Sequence, residues 1–357
     1  MPADLLERRA CPKNMEHGPC GGVEFDGSCE VAAPHGGPGR CVFLDAPTVR
    51  WHGAAPAATA PASGAERMRA LLATKQIVVA DFPARALDAA SLVECAAALR
   101  GAVDAVLAGD SGRERVQFPP AYRTALIRAE GVEVWSGLTC RDRNRVAMEA
   151  ELAALAHAGV SGVHCVTGDH TRTGSRPDAA PVFDLDSTQA ASLARAAGHL
   201  VSVAEAPASP PVERRPARLL EKERAGAENC FVNHSGGVEP VAAFIASARA
   251  LGSTLGFIPC IPIVLDHASA ELLKSFTTLV LPPGYLDRIL AAADPRAEGI
   301  AAAVELGRGF LALDSVVGVN LSGGTGHGGE AEFARALAEI SLSLGTSGTA
   351  TQLGGGA

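Results

Sequence analysis

Two stretches decide the fold: Val134–Arg145, V-W-S-G-L-T-C-R-D-R-N-R, and Val160–His170, V-S-G-V-H-C-V-T-G-D-H. Each opens as an apolar run and ends in a polar turn that carries charge. An Ala/Leu-rich segment of helical period joins them. This is a β-α-β unit with its polar residues at the carboxyl ends of both strands, where parallel α/β folds place their active sites.

The same alternation continues on both sides. Strand candidates are 77–83, 103–108, 132–138, 161–166, 199–204, 229–233, 255–262 and 315–320. Helical periods occupy 88–100, 119–129, 143–158, 187–197, 215–225, 238–251, 267–276 and 329–344, with an additional helical piece over 285–309. Eight strands alternating with eight helices predict an α/β fold, a (β/α)8 TIM barrel spanning residues 65–345. A doubly wound open sheet is the structural alternative, and no G-x-G-x-x-G follows the first strand to support it.

The barrel is preceded by something different. Residues 11–43 are dense in glycine and proline and sustain neither helical nor strand period, so they need a staple in place of a core. Cys11, Cys20, Cys29 and Cys41 supply four thiolates, which suit a tetrahedral Zn²⁺ or an iron–sulfur cluster. His17 and His35 could replace a cysteine ligand, although exposed loop histidines are more common. Residues 1–45 are therefore read as a four-cysteine metal-binding domain, 46–64 as an Ala/Pro linker in which Trp51 docks on a neighbouring domain, and 346–357 as a flexible Gly-rich tail.

Composition removes several function classes. A net charge of −8 with dispersed Arg and Glu argues against nucleic acid as partner. No stretch approaches ~18 uninterrupted apolar residues, which argues against a membrane span. With no export signal at the N-terminus, the nine cysteines point to thiols and metal in a cytoplasmic protein.

In a barrel, the polar residues that end the strands meet at one mouth. In order they are Asp81, Asp110, Thr139 to Asp142, Asp169 with His170, Glu205, Asn233 with His234, Pro259 to Pro262, and Asn320. Capping and turn formation account for many such residues, and Asp142 with Arg143 is read as bracing the following helix.

The segments L-T-C-R-D-R-N-R (Leu138–Arg145), T-G-D-H (Thr167–His170) and V-F-D-L-D-S (Val182–Ser187) resemble the methylenetetrahydrofolate reductase family, above all its divergent bacterial branches. The cysteine block, C-P-x-x-M-x-x-G-P-C-G-G followed by G-x-C-E-V, resembles a small cysteine-rich zinc domain joined to or partnered with some of these reductases. The resemblance implies a barrel that interconverts 5,10-methylene- and 5-methyltetrahydrofolate by hydride transfer. It implies that Asp169 tunes a flavin (FAD), and that Asp81, at the family's glutamate position, protonates folate N5. Thr139, Thr167, Gly168, His170 and Glu205 would line the cofactor, and Lys222 would meet its phosphate. Asn233 and Asn320 would face the folate. Thr167 and Gly137 stand where many members carry Arg and His, which leaves open a flavin-free reaction driven directly by NAD(P)H. The rival reading is a catalytically reduced barrel that serves as a metal-bearing docking subunit of a reductase or methyltransferase complex. The physiological direction, and a protein partner or second copy of the chain, are also left open.

Overall fold

The computed structural model describes residues 11–31, 39–53, 60–109 and 114–345. Asp110, His35 and the tail 346–357 lie outside the described residues. Eight parallel strands close into a barrel in sequence order: β1 (Ile77–Asp81), β2 (Ala105–Ala108), β3 (Val134–Thr139), β4 (Gly162–Val166), β5 (Val201–Glu205), β6 (Asn229–Val232), β7 (Gly256–Pro262) and β8 (Gly318–Ser322). Closure is made by β8 pairing with β1, Val79 opposite Asn320. The (β/α)8 architecture expected from the alternation is the one observed.

Because side chains alternate across a strand, each strand feeds two cores. Val78, Ala80, Val106, Val134, Leu138, Val163, Val201 and Val203 face outward and pack with the helices. Ile77, Val79, Ala105, Trp135, Phe231, Ile258 and Cys260 form the interior cluster. Trp135 dominates that interior. Its Nε1 donates to Ser202 Oγ at 2.9 Å, and its ring meets Phe231 edge-on at 5.4 Å. Gly162, its neighbour in register on β4, makes the room: a Cβ there would stand 2.5 Å from the indole.

The outer layer is α2 (Ala89–Leu99), α3 (Pro120–Ala129), α4 (Arg145–His157), α5 (Ser187–Ala196), α6 (Arg215–Arg224), α7 (Val238–Ala250), α8 (His267–Lys274), α9 (Tyr285–Leu290), α10 (Pro295–Leu311) and α11 (Glu330–Leu344). The extra piece expected over 285–309 is two helices, α9 and α10, interrupted before Pro295. Asn144, not Asp142, caps α4, accepting from Ala147 N at 3.0 Å; Asp142 instead pairs with its neighbour Arg141. A further helix, α1 (Ser63–Leu72), precedes β1 within what the sequence reads as linker and barrel start. Its Ala65 and Met68 join the interior cluster and close the amino-terminal end of the barrel. Among the described residues no helix is long and apolar enough to cross a membrane.

The cysteine block has a small core of its own in Met15, Val23, Val31 and Phe43, all buried. Trp51 docks as expected, its amide donating to Glu221 Oε2 at 2.7 Å and its ring lying 5.3 Å from that of His17.

Trp135→Ala removes the largest interior side chain and takes a donor from the buried Ser202 hydroxyl. We expect it to destabilise the barrel by about 3–5 kcal/mol, read as a lowered urea midpoint with an unchanged slope.

Candidate active site at the barrel mouth

The carboxyl ends of the strands divide into two halves. On the β1–β8–β7 side, Asp81 follows Ile77 and Val79 on the interior face. Asn320 Nδ2 donates to Asp81 Oδ1 at 2.9 Å, and the amide of Gly323 donates to Oδ2 at 3.2 Å. Asn320 Nδ2 also lies 3.7 Å from Cys260 Sγ. Burial pushes the Asp81 carboxyl above its ordinary range, against the opposing pull of Asn320, Ser322 and Gly323. Asn320 is itself buried, and its Oδ1 has no hydrogen-bond partner among the described residues. Protein atoms thus hold an acid whose proton is retained more readily than usual, beside an acceptor with spare capacity.

The β4–β5–β6 half is built differently, because the cysteine block lies on it. Thr167 Oγ1 donates to Met15 Sδ at 3.4 Å and accepts from Ser187 N at 3.2 Å. The His170 amide donates to Glu30 Oε1 at 3.0 Å, and Lys13 Nζ meets the same oxygen at 2.6 Å. The His170 ring is buried against Phe183, and burial followed by the Arg172 charge lowers its pKa to about 4. Gly168 adopts φ +87°, and a Cβ there would lie 2.9 Å from Cβ of Thr139, which is buried beneath it. Asp169 alone among this group stays open, its side chain 55% exposed and 3.7 Å from Arg115.

Glu205 and Lys222 are not cofactor contacts in this arrangement. Glu205 continues the outward face of Val201 and Val203 and turns toward α6. There Lys222 Nζ reaches Oε2 at 2.8 Å and Arg215 Nη1 reaches Oε1 at 3.2 Å, all three side chains nearly inaccessible. Burial alone would raise the Glu205 pKa; Lys222 and Arg215 outweigh it and hold the carboxyl below its ordinary value. Lys222 also donates to Ala204 O, so its ammonium is occupied by the barrel and turned away from any phosphate. Asn233 is exposed at the end of β6, and its amide donates to Glu205 O at 2.9 Å. The strand-end ring is therefore brought to one end of the barrel but splits between interior, rim and helix layer.

Several site residues were invisible in the sequence. Lys13 and Glu30 lie inside the cysteine-block motif but carried no site signal of their own, and Arg215 reaches the mouth from a segment with no motif. Asp186 had a local signal, D-S-T-Q, a capping box whose two halves are both formed. Its second role did not: His17 Nδ1 and N approach its Oδ2 at 2.9 and 3.1 Å, across 169 residues.

Cys11, Cys20, Cys29 and Cys41 border one void of about 10 Å³, the size of a single water or ion. Each sulfur receives a backbone amide two residues on, from Lys13, Gly22, Val31 and Phe43 respectively. Amides aimed at sulfur are the outer support that thiolate ligands use. As free thiols Cys11, Cys29 and Cys41 are disfavoured from ionising: burial, then the neighbouring Cys20, pushes Cys11 up to about 12, burial raises Cys29, and burial pushes Cys41 to about 11. The donor set fits a metal chemically, although among the described residues no three His, Cys, Asp or Glu side chains are arranged as a ready metal site. A flavin fits less well, since Thr167, His170, Glu205 and Lys222 already have protein partners.

Fold and mouth together define a (β/α)8 barrel with an acid at its C-terminal end and a cysteine block docked across part of it. No family model matches the chain, and no curated protein matches its sequence. Among solved structures, an uncharacterized protein from Clostridium thermocellum that binds two copies of 5-methyl-5,6,7,8-tetrahydrofolic acid aligns with TM-score 0.54 and 13% identity, over 78% of this chain and 99% of that one. Oxaloacetate acetylhydrolase aligns with TM-score 0.42 and 14% identity, over 63% of this chain and 81% of that one. For 2,3-dimethylmalate lyase, of the PEP mutase/isocitrate lyase superfamily, the values are 0.40, 14%, 62% and 81%. At these identities the likeness is one of fold.

Glu205→Gln leaves two buried cations without their anion. We expect a loss of about 3–5 kcal/mol in stability, measured by chemical denaturation.

Proposed function

We propose that this chain is a folate-dependent one-carbon oxidoreductase that interconverts 5,10-methylene- and 5-methyltetrahydrofolate on the β1–β8 side of the mouth. The observation that carries the reading is Asp81: an inward carboxyl at the end of β1, raised by burial and oriented by Asn320 and Gly323. The sequence motifs support it, as does likeness of fold to a protein that binds 5-methyltetrahydrofolate.

In the reductive direction the atoms balance simply. Asp81 gives its proton to N10 as the N10–methylene bond breaks, because the carbon must stay on N5 to become its methyl group, and that carbon accepts a hydride; N5, the proton acceptor that the family resemblance implied, keeps its bond to the carbon. A nicotinamide dinucleotide, as co-substrate, would supply that hydride, and solvent would reprotonate Asp81. Asn320 fixes the carboxyl through Nδ2 and offers its bare Oδ1 to an N–H of the pterin. Asp169, exposed at the rim, is suited to an electrostatic role only. The alternative of a docking subunit makes a different forecast, folate binding without turnover.

We further propose that the four thiols hold one structural Zn²⁺, because four cysteines around one void, each sulfur backed by a backbone amide, suit a tetrahedral ion. Elemental analysis should find about one zinc per chain; iron with acid-labile sulfide, or no metal at all, would remove this assignment.

The acid is tested by rates. Asp81→Asn should lower kcat for folate reduction by about 10²–10⁴ while leaving the dissociation constant for 5-methyltetrahydrofolate nearly unchanged. In the unmodified protein, reduction requires protonated Asp81, so the rate should fall as pH rises through its elevated pKa. Near-normal turnover by Asp81→Asn would mean that another group is the acid.

A further inference from the structure

The half of the mouth where the family resemblance puts an isoalloxazine ring is occupied by residues of the same chain. Met15 sits on the Thr167 hydroxyl, and Glu30 takes the His170 amide. Lys13 lies between Glu30 and the charge of Asp169. Beside them, the Cys20 carbonyl accepts from Arg215 Nη1 at 3.1 Å and the Val23 carbonyl accepts from Ser209 Oγ at 2.9 Å. We infer that the cysteine block is a built-in occupant of the β4–β5 half of the mouth, fastened there by its thiol cluster, and that it excludes flavin from the barrel.

The fastening follows from where the occupying residues lie. Lys13 and Met15 give their amides to the Cys11 sulfur, so the residues that enter the mouth are positioned by that thiol. The Cys20 carbonyl is held by Arg215 while the Cys20 sulfur takes the amide of Gly22. Glu30 is bonded directly to Cys29, and its amide donates to Gly22 O at 3.0 Å. Gly22 makes room for the Glu30 side chain, since a Cβ there would stand 1.9 Å from Oε2 and 2.6 Å from the carboxyl carbon. Each residue that fills the mouth is thus within four positions of a cysteine, and the four cysteines face one void.

A second clamp lies to the side. The buried Asp186 carboxylate, which caps α5, accepts from the backbone of Glu16 and His17 and from the His17 ring. A flavin entering at Thr167–His170 would have to displace Met15 and Glu30 together, and these cannot move without distorting the thiol cluster or breaking the Asp186 clamp. Asp81 and Asn320, on the opposite half, are untouched by the block, so the exclusion of flavin does not depend on the folate reading.

The test uses the full chain as purified. FMN and FAD are titrated by flavin fluorescence, 5-methyltetrahydrofolate is titrated in parallel, and amide hydrogen exchange is followed at His170 and at Val79 in the barrel interior. No saturable flavin binding is expected. Cys29→Ser should speed exchange of the His170 amide by about tenfold or more and leave Val79 protected. If Cys29→Ser unfolds the whole chain, Val79 will report it, and Cys11→Ser, which loosens the cluster at its other end, should then give the increase at His170; Glu30→Ala, which removes both the acceptor of the His170 amide and the partner of Lys13, sets the exchange expected when the contact is lost. Saturable flavin binding with the His170 amide still protected would overturn the exclusion. Unchanged His170 exchange in a folded thiol variant would overturn the fastening. Failure to bind folate would touch the proposed reaction and leave this inference standing.

Discussion

One buried carboxylate joins the two parts of this protein. Asp186 has no solvent exposure and accepts from the amides of Thr188 and Gln189 at the start of α5 and from Glu16 and His17 in the cysteine block. Burial by itself would drive its pKa upward; the bond from His17 and the charge of Arg218 reverse this and hold it well below the usual carboxylate range. A carboxylate that satisfied only a helix cap could sit at the surface. This one is buried because it also bonds a segment 169 residues away, and it survives burial because its oxygens have donors from both sides. The capping box therefore fixes how the block meets the barrel.

With the block fixed in place, the carboxylates of the mouth acquire different characters from their surroundings alone. Asp81 has only neutral donors and is raised. Glu205 has two cations and is lowered. Asp169 remains exposed at the rim. Three acidic residues at strand ends thus serve three physical purposes: a retained proton, an internal ion pair that anchors α6, and a solvated negative charge. The rule is general for acid–base sites, where neighbouring carboxyls are told apart by desolvation and by the charge of their partners.

The same division explains how a barrel can keep a ring of polar residues at its strand ends while using half of it to seat another segment of the chain. Thr167, Gly168 and His170 remain where the motif suggests, at the end of β4, yet the hydrogen bonds of Thr167 and His170 go to Met15, Ser187 and Glu30. Arg218, buried under Gly18 and drawn by Asp186 and Glu205, adds charge to the seam without a hydrogen bond to any described residue. The seam between block and barrel is polar and buried, so its geometry is tightly specified, since displaced polar groups there would lose partners they cannot recover from water.

The amino-acid sequence by itself determined the barrel. Eight apolar runs ending in polar turns, spaced by helical periods, admit few other folds, because a parallel strand buried on both faces must be apolar and must return through a crossover. It also determined that Asp81, Thr139, Asp169 and Asn320 would lie at one end, since strand direction alone decides that. It did not determine which way Glu205 turns, for a one-residue difference in alternation separates the interior from the helix layer. Helix α1 begins inside the Ala/Pro run read as linker and so did not stand out from it, and its role is set by the open barrel end it fills. Above all, only the tertiary structure decided that the cysteine block lies on the mouth. That contact rests on pairs such as His17 with Asp186 and Glu30 with His170, 169 and 140 residues apart. Local propensity carries no information across such distances; the pairing exists only once both surfaces have folded and been brought together.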